Sequence, residues 1–331
     1  MFNKVYEKVK KFILENYKFL IVLIFLIFLF YYELPFVIYK SGGTINLENR
    51  IIIDKDYEEN GSLSMSYVTT VKGTIPFILL SYILPDWDLY PLEEDYDEMI
   101  SVGKEYLNEG IDNAIISAFN ASTYNITILK ENNIINYIGE KANTNLLVGD
   151  KIVSINGNNI DSFKVLREYL NTLGENDKID IKVIHDNKEY DRHAYLYRDT
   201  DDTLKIGVGI KTTYDYETEI PVSVKMKNNE SGSSGGFMMS LAIYNALTDE
   251  DITKGLNIVG TGTISSDGVV GEIGGVKYKI LAANKAHADI FFCPEENYEE
   301  AIEVKNRRNL SVNVVKIHTL EEAINYLENY N

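Results

Sequence analysis

The longest run of apolar residues lies near the N-terminus, from Phe19 to Tyr39, and only Glu33 and Pro35 interrupt it. At ~1.5 Å per helical residue, such a run is long enough to cross a bilayer core of roughly 30 Å. The segment before it, residues 1–18, is rich in lysine. Because positively charged flanks stay in the cytoplasm, the pattern predicts a transmembrane helix with its N-terminus inside and the rest of the chain outside.

Two other interpretations of this run are weaker. A cleaved signal peptide needs small residues at its cleavage site, and Tyr31, Tyr32 and Phe36 stand where cleavage would occur. A buried helix of a soluble protein would carry more charged residues over such a length. We therefore expect an uncleaved anchor at 19–39, a cytoplasmic segment at 1–18, and a cell-membrane location with the remainder of the chain extracytoplasmic.

Downstream of the anchor, the apolar patterns predict three elements. Ser62 to Val71 alternates polar and apolar residues, which is typical of a half-buried strand. Ile75 to Leu89 is apolar, which fits either a buried helix or a segment at the outer membrane interface. Asp95 to Phe119 spaces its apolar residues for one helix face. We assign residues 40–122 to a membrane-proximal region.

The segment 123–200 has strand and turn signals of its own. Residues 147–160 contain a Gly-Asp turn, a strand and an Asn-Gly turn, and Asp161 or Ser162 can cap the helix that follows. Residues 179–183 alternate again as a strand. These features indicate a β-rich module with one helix.

The run from Gly149 to Gly157 resembles the Gly-Asp-x-Ile-x-x-Ile-Asn-Gly signature of PDZ domains. Such domains bind an extended peptide at a sheet edge, and many hold its C-terminal carboxylate on backbone N–H groups. The resemblance implies peptide or protein partners for a PDZ-like domain at 123–200, and we place its carboxylate-binding loop near Ile138 and Gly139. The alternative is a module that only packs against the rest of the chain.

In residues 201–331, apolar strands alternate with helices. The predicted strands are Asn257–Ile264, Ile290–Cys293 and Val312–Ile317, and Thr319 begins a capping-box spacing before the last helix. This alternation is typical of an α/β or α+β domain. We therefore expect an α+β protein with a transmembrane helix, a β-rich module and a C-terminal α/β domain.

Composition narrows the classes of function. The 331 residues carry 50 acidic and 32 basic side chains, a formal charge of −18, which disfavours binding to nucleic-acid phosphates. The single cysteine, Cys293, excludes an internal disulfide and a cysteine zinc cluster. The four histidines show no metal-ligand spacing, and no Gly-x-x-x-x-Gly-Lys-Ser/Thr phosphate loop occurs. We expect no cofactor, no metal and no ATP requirement.

The strongest chemical signal is a Gly/Ser run at 231–236 that leads into the apolar segment 237–241. A loop of this kind before a helix presents a serine hydroxyl beside free backbone N–H groups, as a serine nucleophile and its oxyanion hole require. A flexible loop is the alternative, since Gly/Ser runs are common in linkers. Two further glycine-rich segments follow, at 260–264 and 271–283.

In this order, the three segments resemble the protease domain of the Lon family, which uses a serine–lysine dyad. The family pattern runs Gly-Pro-Ser-Ala-Gly, then Thr-Gly-Glu-Ile, then Gly-Gly-Leu-Lys-Glu-Lys-Leu-Leu-Ala-Ala. The match places the nucleophile at Ser234 and the dyad lysine at Lys279. The chain departs from the family at Ser233, Gly235 and Thr263, where the family has Pro, Ala and Glu. These departures keep both dyad members, although Ser233 adds a second hydroxyl.

Lys279 fits the role of a base better than its neighbour Lys277. A lysine that acts near pH 7 needs its pKa lowered by roughly three units from about 10.4, and burial provides such a shift. Lys279 is flanked in its helix by Val276, Ile280 and Leu281. Lys277 points to a different helix face, where we expect it to be exposed.

The resemblance also assigns roles around the nucleophile. Gly235 and Gly236 would let the substrate backbone approach, and the N–H groups at this helix start, beginning with that of Ser234, would receive the oxyanion. Thr261 and Gly262 would line the cleft or position the lysine amine. The alternative for the last two is a strand end followed by a turn.

An anchor, a PDZ-like module and a Lon-like domain at 201–331 together resemble the membrane-anchored Lon-like PDZ proteases of bacteria. The resemblance implies an ATP-independent serine endopeptidase that cleaves extracytoplasmic or membrane-associated proteins, with the PDZ module binding peptide or gating access. It also implies that a strand before the PDZ module, such as Gly61–Val71, joins the protease sheet, and it is compatible with a homo-oligomer. The alternative is a catalytically silent scaffold that binds peptides at the membrane.

Overall fold

The structure, a computed structural model, describes residues 2–55, 60–92, 95–199 and 203–330. The predicted boundary between the PDZ-like and C-terminal domains, at Thr200 and Asp201, lies outside these residues. Within them, helices and strands form an N-terminal helix, a layered α+β domain and a β-rich module inserted into that domain. The predicted α+β class is therefore confirmed.

The N-terminal helix, α1 (Phe2–Tyr31), is long and apolar enough over Val5–Tyr31 to cross a membrane, and none of that span is buried. It is compatible with a single-pass anchor. The predicted span 19–39 is too long at its C-terminal end, because strand β1 begins at Glu33. Val37 is buried in this strand, and hydrogen bonds to two neighbouring strands replace those that a longer helix would form.

Residues 33–121 supply the first part of the layered domain. The predicted apolar element at 75–89 divides into a short helix with no buried residues, an exposed turn and a strand. The predicted helix at 95–119 is present, and the Asp95 carboxylate caps its first turn. The elements are β1 (Glu33–Asn46), β2 (Ile51–Ile53), β3 (Ser62–Thr74), α2 (Ile75–Ser81), β4 (Trp87–Pro91) and α3 (Tyr96–Ala121).

The β-rich module follows α3. Its elements are β5 (Ile126–Ile138), β6 (Asn143–Thr144), β7 (Lys151–Ile155), β8 (Asn158–Asn159), α4 (Phe163–Leu170), β9 (Lys178–His185), β10 (Lys188–Tyr195), β11 (Tyr197–Arg198), β12 (Leu204–Lys205) and β13 (Val208–Thr218). The sheet has the order β13-β5-β7-β9-β10-β6. Strand β13, which the sequence analysis assigned to the C-terminal domain, pairs with β5 along its length. The module therefore extends beyond 200, because its edge strand comes from residues 208–218.

The chain then returns to the layered domain. Its elements are β14 (Val222–Val224), α5 (Gly236–Leu247), β15 (Asn257–Gly260), β16 (Thr263–Ile264), β17 (Val270–Gly271), α6 (Val276–Lys285), β18 (Ile290–Pro294), α7 (Tyr298–Arg308), β19 (Asn313–Ile317) and α8 (Leu320–Glu328). The Thr319 hydroxyl accepts from Glu322 N at 3.1 Å and so caps α8. Cys293 is fully buried in β18, as its apolar neighbours predict.

The main sheet joins both parts of the layered domain, in the order β19-β18-β15-β3-β1-β4. Strand β3 pairs in parallel with β15, so a strand from before the inserted module lies beside the C-terminal strands. In β15, Ile258 faces the core formed with α3, α5 and α8, and Val259 faces the core formed with α6 and α7. The sheet is therefore covered by helices on both faces, and α5 is almost wholly buried.

Candidate active site

The Gly/Ser loop, residues 231–235, lies against α3 just before α5 begins. Gly232 N donates to the Gly103 carbonyl oxygen at 2.7 Å. A Cβ atom at Gly110 would lie 3.3 Å from the Ser233 Cα, so a larger residue there would press on the loop. Two glycines seven positions apart thus share one face of α3 and let the loop approach closely.

An ion pair holds the chain that leads into this loop. Arg50 and Glu230 meet at 2.8 Å, and the Arg50 guanidinium also donates to the Lys225 carbonyl oxygen at 3.0 Å. The Glu230 carboxylate accepts in addition from Lys227 N at 2.6 Å. The sequence analysis missed this pair, because 180 residues separate its members and no local pattern marks either one.

The Ser234 carbonyl oxygen is held from the neighbouring loop, between β15 and β16. It accepts from Gly262 N at 2.8 Å and from the Thr261 hydroxyl at 3.0 Å. Phe237 N donates back to the Gly262 carbonyl oxygen at 3.1 Å. Thr261 and Gly262, predicted to lie near the nucleophile, therefore fix the backbone of the serine loop.

Lys279 lies inside the domain on α6. Its side chain is only 2% exposed, and its Nζ donates to the Thr261 hydroxyl oxygen at 3.1 Å. Burial lowers the pKa of Lys279 to about 7, and the neighbouring Cys293 opposes that shift weakly. One threonine hydroxyl thus contacts both the lysine amine and the Ser234 backbone. Lys279 carries a substantial fraction of neutral amine at neutral pH.

Lys277 differs from the prediction, because it is not simply exposed. Its Nζ lies 2.6 Å from Asp88 and 3.7 Å from Asp86, so it ties α6 to the region around β4. The Tyr278 hydroxyl also donates to Asp88. Lys277 is therefore a structural cation on a different face of α6 from Lys279.

Backbone donors are available where the loop meets α5. The N–H groups of Ser234 and Gly235 donate to no protein acceptor among the described residues. A Cβ at Gly235 would lie 2.4 Å from the Met65 sulfur, and one at Gly236 would lie 2.9 Å from Ile264 Cγ2. Glycine at 235, where the Lon pattern has alanine, therefore leaves room for the Met65 side chain.

A cleft of about 610 Å³ opens over this loop. Ser234 and Gly235 form part of its wall, together with β1 and β3 residues such as Thr44, Ser66 and Thr70. Lys279 lies behind this wall. Ser234 thus lines the cleft, whereas Lys279 is buried and donates to the Thr261 hydroxyl.

A second groove, of about 630 Å³, lies in the inserted module between α4 and the start of β13. Strand β13 is at the sheet edge, and Phe163 and Leu170 of α4 line the opposite side. Gly207 has a φ of 85° directly before β13. Of the predicted loop at Ile138–Gly139, Gly139 lines this groove, and its N–H donates to the Gly207 carbonyl oxygen at 2.8 Å.

The Gly207-Val208-Gly209-Ile210 run of this groove lies beyond the predicted end of the module at residue 200, so it is not among the residues predicted for the PDZ-like domain. The available signal was two glycines alternating with apolar residues just before a long alternating segment.

Family models match both regions. Residues 203–328 match the Lon protease (S16) C-terminal proteolytic domain, and residues 115–193 match the PDZ domain. The residues that match the Lon proteolytic domain include β13, whereas the hydrogen bonds of β13 place this strand in the PDZ sheet. A strand's partners define its sheet, so β13 belongs to the inserted module.

Individual relatives of the chain are Lon proteases, in agreement with its match to the Lon proteolytic domain. The Lon protease of Halothermothrix orenii is 34% identical over 131 residues, which is 39% of this chain and 16% of that protein. The Lon protease of the Aster yellows witches'-broom phytoplasma is 28% identical over 120 residues, or 36% of this chain and 14% of that protein. The chain thus spans about a sixth of the length of the curated relatives it matches.

Among solved structures, the PDZ domain of the SdrC-like protein from Listeria monocytogenes matches at 21% identity with a TM-score of 0.23, covering 25% of this chain and 92% of that domain. The family models thus match a Lon-type proteolytic domain in the C-terminal part of the chain and a PDZ domain in its middle part.

Proposed function

We propose that this chain, which carries a Lon-type proteolytic domain and a PDZ domain, is a serine endopeptidase that works without ATP. The observation that supports this most directly is the buried Lys279 amine, whose pKa is lowered to about 7 and which meets the Ser234 backbone through Thr261. A serine attacks an amide only when a base takes its proton, and Lys279 is the base that this geometry favours.

We propose the following reaction for Ser234 and Lys279. Neutral Lys279 takes the Ser234 hydroxyl proton while the oxygen attacks the substrate carbonyl carbon. The resulting ammonium gives that proton to the leaving amine, and the C–N bond breaks to leave an ester on Ser234. Lys279 then takes a proton from water, whose oxygen attacks the ester. Collapse releases the carboxylic acid and restores the serine hydroxyl.

The backbone stabilises the charge that develops on the substrate oxygen. The free N–H groups of Ser234 and Gly235 lie at the start of α5, where the helix dipole favours a negative charge. Donors fixed in this way need no reorganisation during the reaction. Removing one such donor costs about 100- to 1,000-fold in turnover in related acyl-transfer chemistry.

The position of the enzyme follows from α1. We propose that α1 spans the cell membrane with its lysine-rich end in the cytoplasm, so that both folded domains lie outside. The sequence contains no phosphate-binding loop that could supply ATP-driven unfolding. The substrates would then be unfolded or short segments of extracytoplasmic or membrane-associated proteins.

Cleavage of casein by the full chain in detergent, without ATP, tests the proposal. Ser234→Ala and Lys279→Ala should each abolish cleavage, whereas the matched variants Ser233→Ala and Lys277→Ala should retain it. Folding of each variant is checked by circular dichroism. Cleavage that survives in Ser234→Ala but is lost in Ser233→Ala would move the nucleophile to the neighbouring serine. No cleavage by the folded wild-type chain would favour the scaffold alternative.

For the PDZ module, we propose that a peptide adds to the free edge of β13 and rests against α4. The groove supplies backbone groups of β13 on one side and apolar side chains, including Phe163 and Leu170, on the other. This is the arrangement by which a sheet edge holds an extended peptide.

The contacts of β13 favour gating in addition to recruitment. Beyond the groove, β13 meets α3 through Lys211 with Glu105 at 3.6 Å and through the Tyr216 hydroxyl with Asp112 at 3.3 Å. Burial raises the pKa of the Asp112 carboxyl. Since α3 also holds the serine loop at Gly103, a peptide that shifts β13 acts on an element that touches the nucleophile.

A further inference from the structure

An exposed apolar surface lies between α2 and β4. We call it the apolar tip, residues 79–84, and it includes Leu79, Tyr82 and Ile83, whose exposed fractions are 60%, 77% and 76%. Residues 73–85 carry no charged side chain at all. Exposed apolar residues that cluster in this way mark a surface that is covered in the working state.

The position of the apolar tip identifies what covers it. Helix α1 contacts both α2 and β3. Only Tyr32 separates the end of α1 at Tyr31 from the start of β1 at Glu33. So short a link keeps the folded body beside the point where α1 leaves the bilayer, and the contact between α1 and α2 brings α2, whose last residues belong to the apolar tip, to that side of the body.

The charges around the apolar tip are arranged to suit a lipid surface. Asp86 is paired with Arg308, and Asp88 is paired with Lys277, so the nearest acidic groups are neutralised within the protein.

We propose that the apolar tip inserts into the headgroup–acyl boundary of the outer leaflet and is a second membrane contact of the protein. This inference rests on the proposed spanning of the membrane by α1. A bilayer accounts for the apolar tip better than a second copy does, because the link through Tyr32 brings the tip to the membrane whatever the oligomeric state. Known surface anchors bury aromatic and aliphatic side chains at the membrane interface, and Tyr82 and Ile83 are side chains of these two kinds.

The anchor α1 and the apolar tip together set the distance between the catalytic cleft and the membrane surface. Tyr39 pairs with Thr70, which lines the near end of the cleft, and Tyr39 lies six residues along β1 from Glu33. At ~3.3 Å per strand residue, the near end of the cleft is within ~20 Å of the membrane surface. The enzyme therefore acts on segments that emerge close to the bilayer.

Fluorescence quenching of the full chain in lipid nanodiscs tests the inference. Single cysteines are introduced as Ile83→Cys, Ile24→Cys in α1 and Val148→Cys, and each is labelled with an environment-sensitive dye. Val148 is a matched control because it is 58% exposed on the PDZ module. Cys293 is fully buried, and the labelled wild-type chain measures its background. Spin-labelled lipids quench dyes that lie in the bilayer.

The expected result is that lipids spin-labelled near the headgroup remove most of the fluorescence at position 83, and that position 148 keeps its fluorescence. Quenching at 24 without quenching at 83 overturns the inference and leaves the anchor intact. Absence of quenching at 24 overturns the anchor and the inference with it. A dye at position 83 that is shielded from aqueous iodide but not quenched by spin-labelled lipids also overturns the inference. That result indicates a contact between two copies of the chain instead.

Discussion

The catalytic cleft and the PDZ groove have similar volumes, about 610 and about 630 Å³, but they offer different chemistry. The cleft has a serine loop on its wall and a buried lysine behind it, whereas the groove has a strand edge and apolar side chains. Among the described residues that line or adjoin the two sites, Lys279 beside the cleft has its pKa lowered to about 7. Under the proposed function, the cleft breaks peptide bonds and the groove holds a peptide, so single substitutions should separate the two activities.

Lys279→Met should separate proteolysis from peptide binding more strongly than any other substitution proposed below. We expect the proteolytic rate to fall by at least ~1,000-fold, because the base is lost, while peptide binding to the PDZ groove stays unchanged. The same variant should be more stable than the wild-type chain, since an apolar side chain replaces a buried amine. Casein cleavage, peptide binding and thermal unfolding measure the three effects.

The stability gain should depend on pH in a direction set by the lowered pKa. In the folded chain the pKa of Lys279 is about 7, whereas the pKa of an exposed lysine is 10.5. Between pH 7 and pH 10.5, Lys279 is therefore mostly protonated in the unfolded chain and mostly neutral in the folded chain. Wild-type stability therefore rises with pH across that range, and the cost of burying the amine is full only below pH 7. The gain from Lys279→Met should approach ~5 kcal/mol below pH 7, and its pH-dependent part should vanish above pH 10.5. A gain that does not change with pH would contradict the burial of a neutral amine.

The second effect in size is the pH dependence of catalysis. For a short peptide substrate without titrating groups, kcat/KM should follow the neutral fraction of Lys279 and fall about 100-fold from pH 9 to pH 5, with a midpoint near 7. Peptide binding to the PDZ groove should vary much less, because no lysine base takes part in it. A rate that is flat between pH 5 and 9 would argue against Lys279 as the base.

A smaller effect is expected in the groove. Phe163→Ala should weaken binding of a labelled hexapeptide with an apolar free C-terminus by about tenfold, because it removes apolar surface from the groove. Val165→Ala is the matched control, since both residues are 38% exposed on α4 and only Phe163 lines the groove. Fluorescence anisotropy measures binding. Equal losses in the two variants would place the peptide elsewhere.

The smallest effect concerns the link between the two sites. Saturating hexapeptide should change the casein cleavage rate of the wild-type chain, and Tyr216→Phe should reduce that change by about two- to threefold through loss of the hydrogen bond to Asp112. Basal cleavage without peptide should stay close to that of the wild-type chain. If peptide binds but never alters the rate, the module only recruits substrate.

Local sequence signals predicted much of the catalytic region. The Gly/Ser loop does precede a buried helix, and the apolar neighbours of Lys279 in α6 correspond to a buried side chain. The cap at Thr319 also follows from its spacing to the last helix. These features depend on contacts within one element or between adjacent elements, which a sequence pattern records directly.

Features that depend on distant partners were not predictable. Residues 36–39 are as apolar as the helix before them, and pairing of β1 with β3 and β4 holds them in a strand. Strand β13 belongs to the PDZ sheet because it pairs with β5, which lies far from it in the sequence. Arg50 reaches Glu230 from the other side of the inserted module. A single sequence carries no signal of such pairs.

Trapping the acyl-enzyme tests the central claim most directly. The full chain is mixed with a peptide ester at pH 8, quenched in acid and digested, and the residue that carries the acyl group is located by mass spectrometry. We predict the acyl mass on Ser234, and its loss in Lys279→Met. An acyl group on Ser231 or Ser233, or turnover of the ester by Ser234→Ala at the wild-type rate, would contradict the proposal that Ser234 is the nucleophile and Lys279 its base.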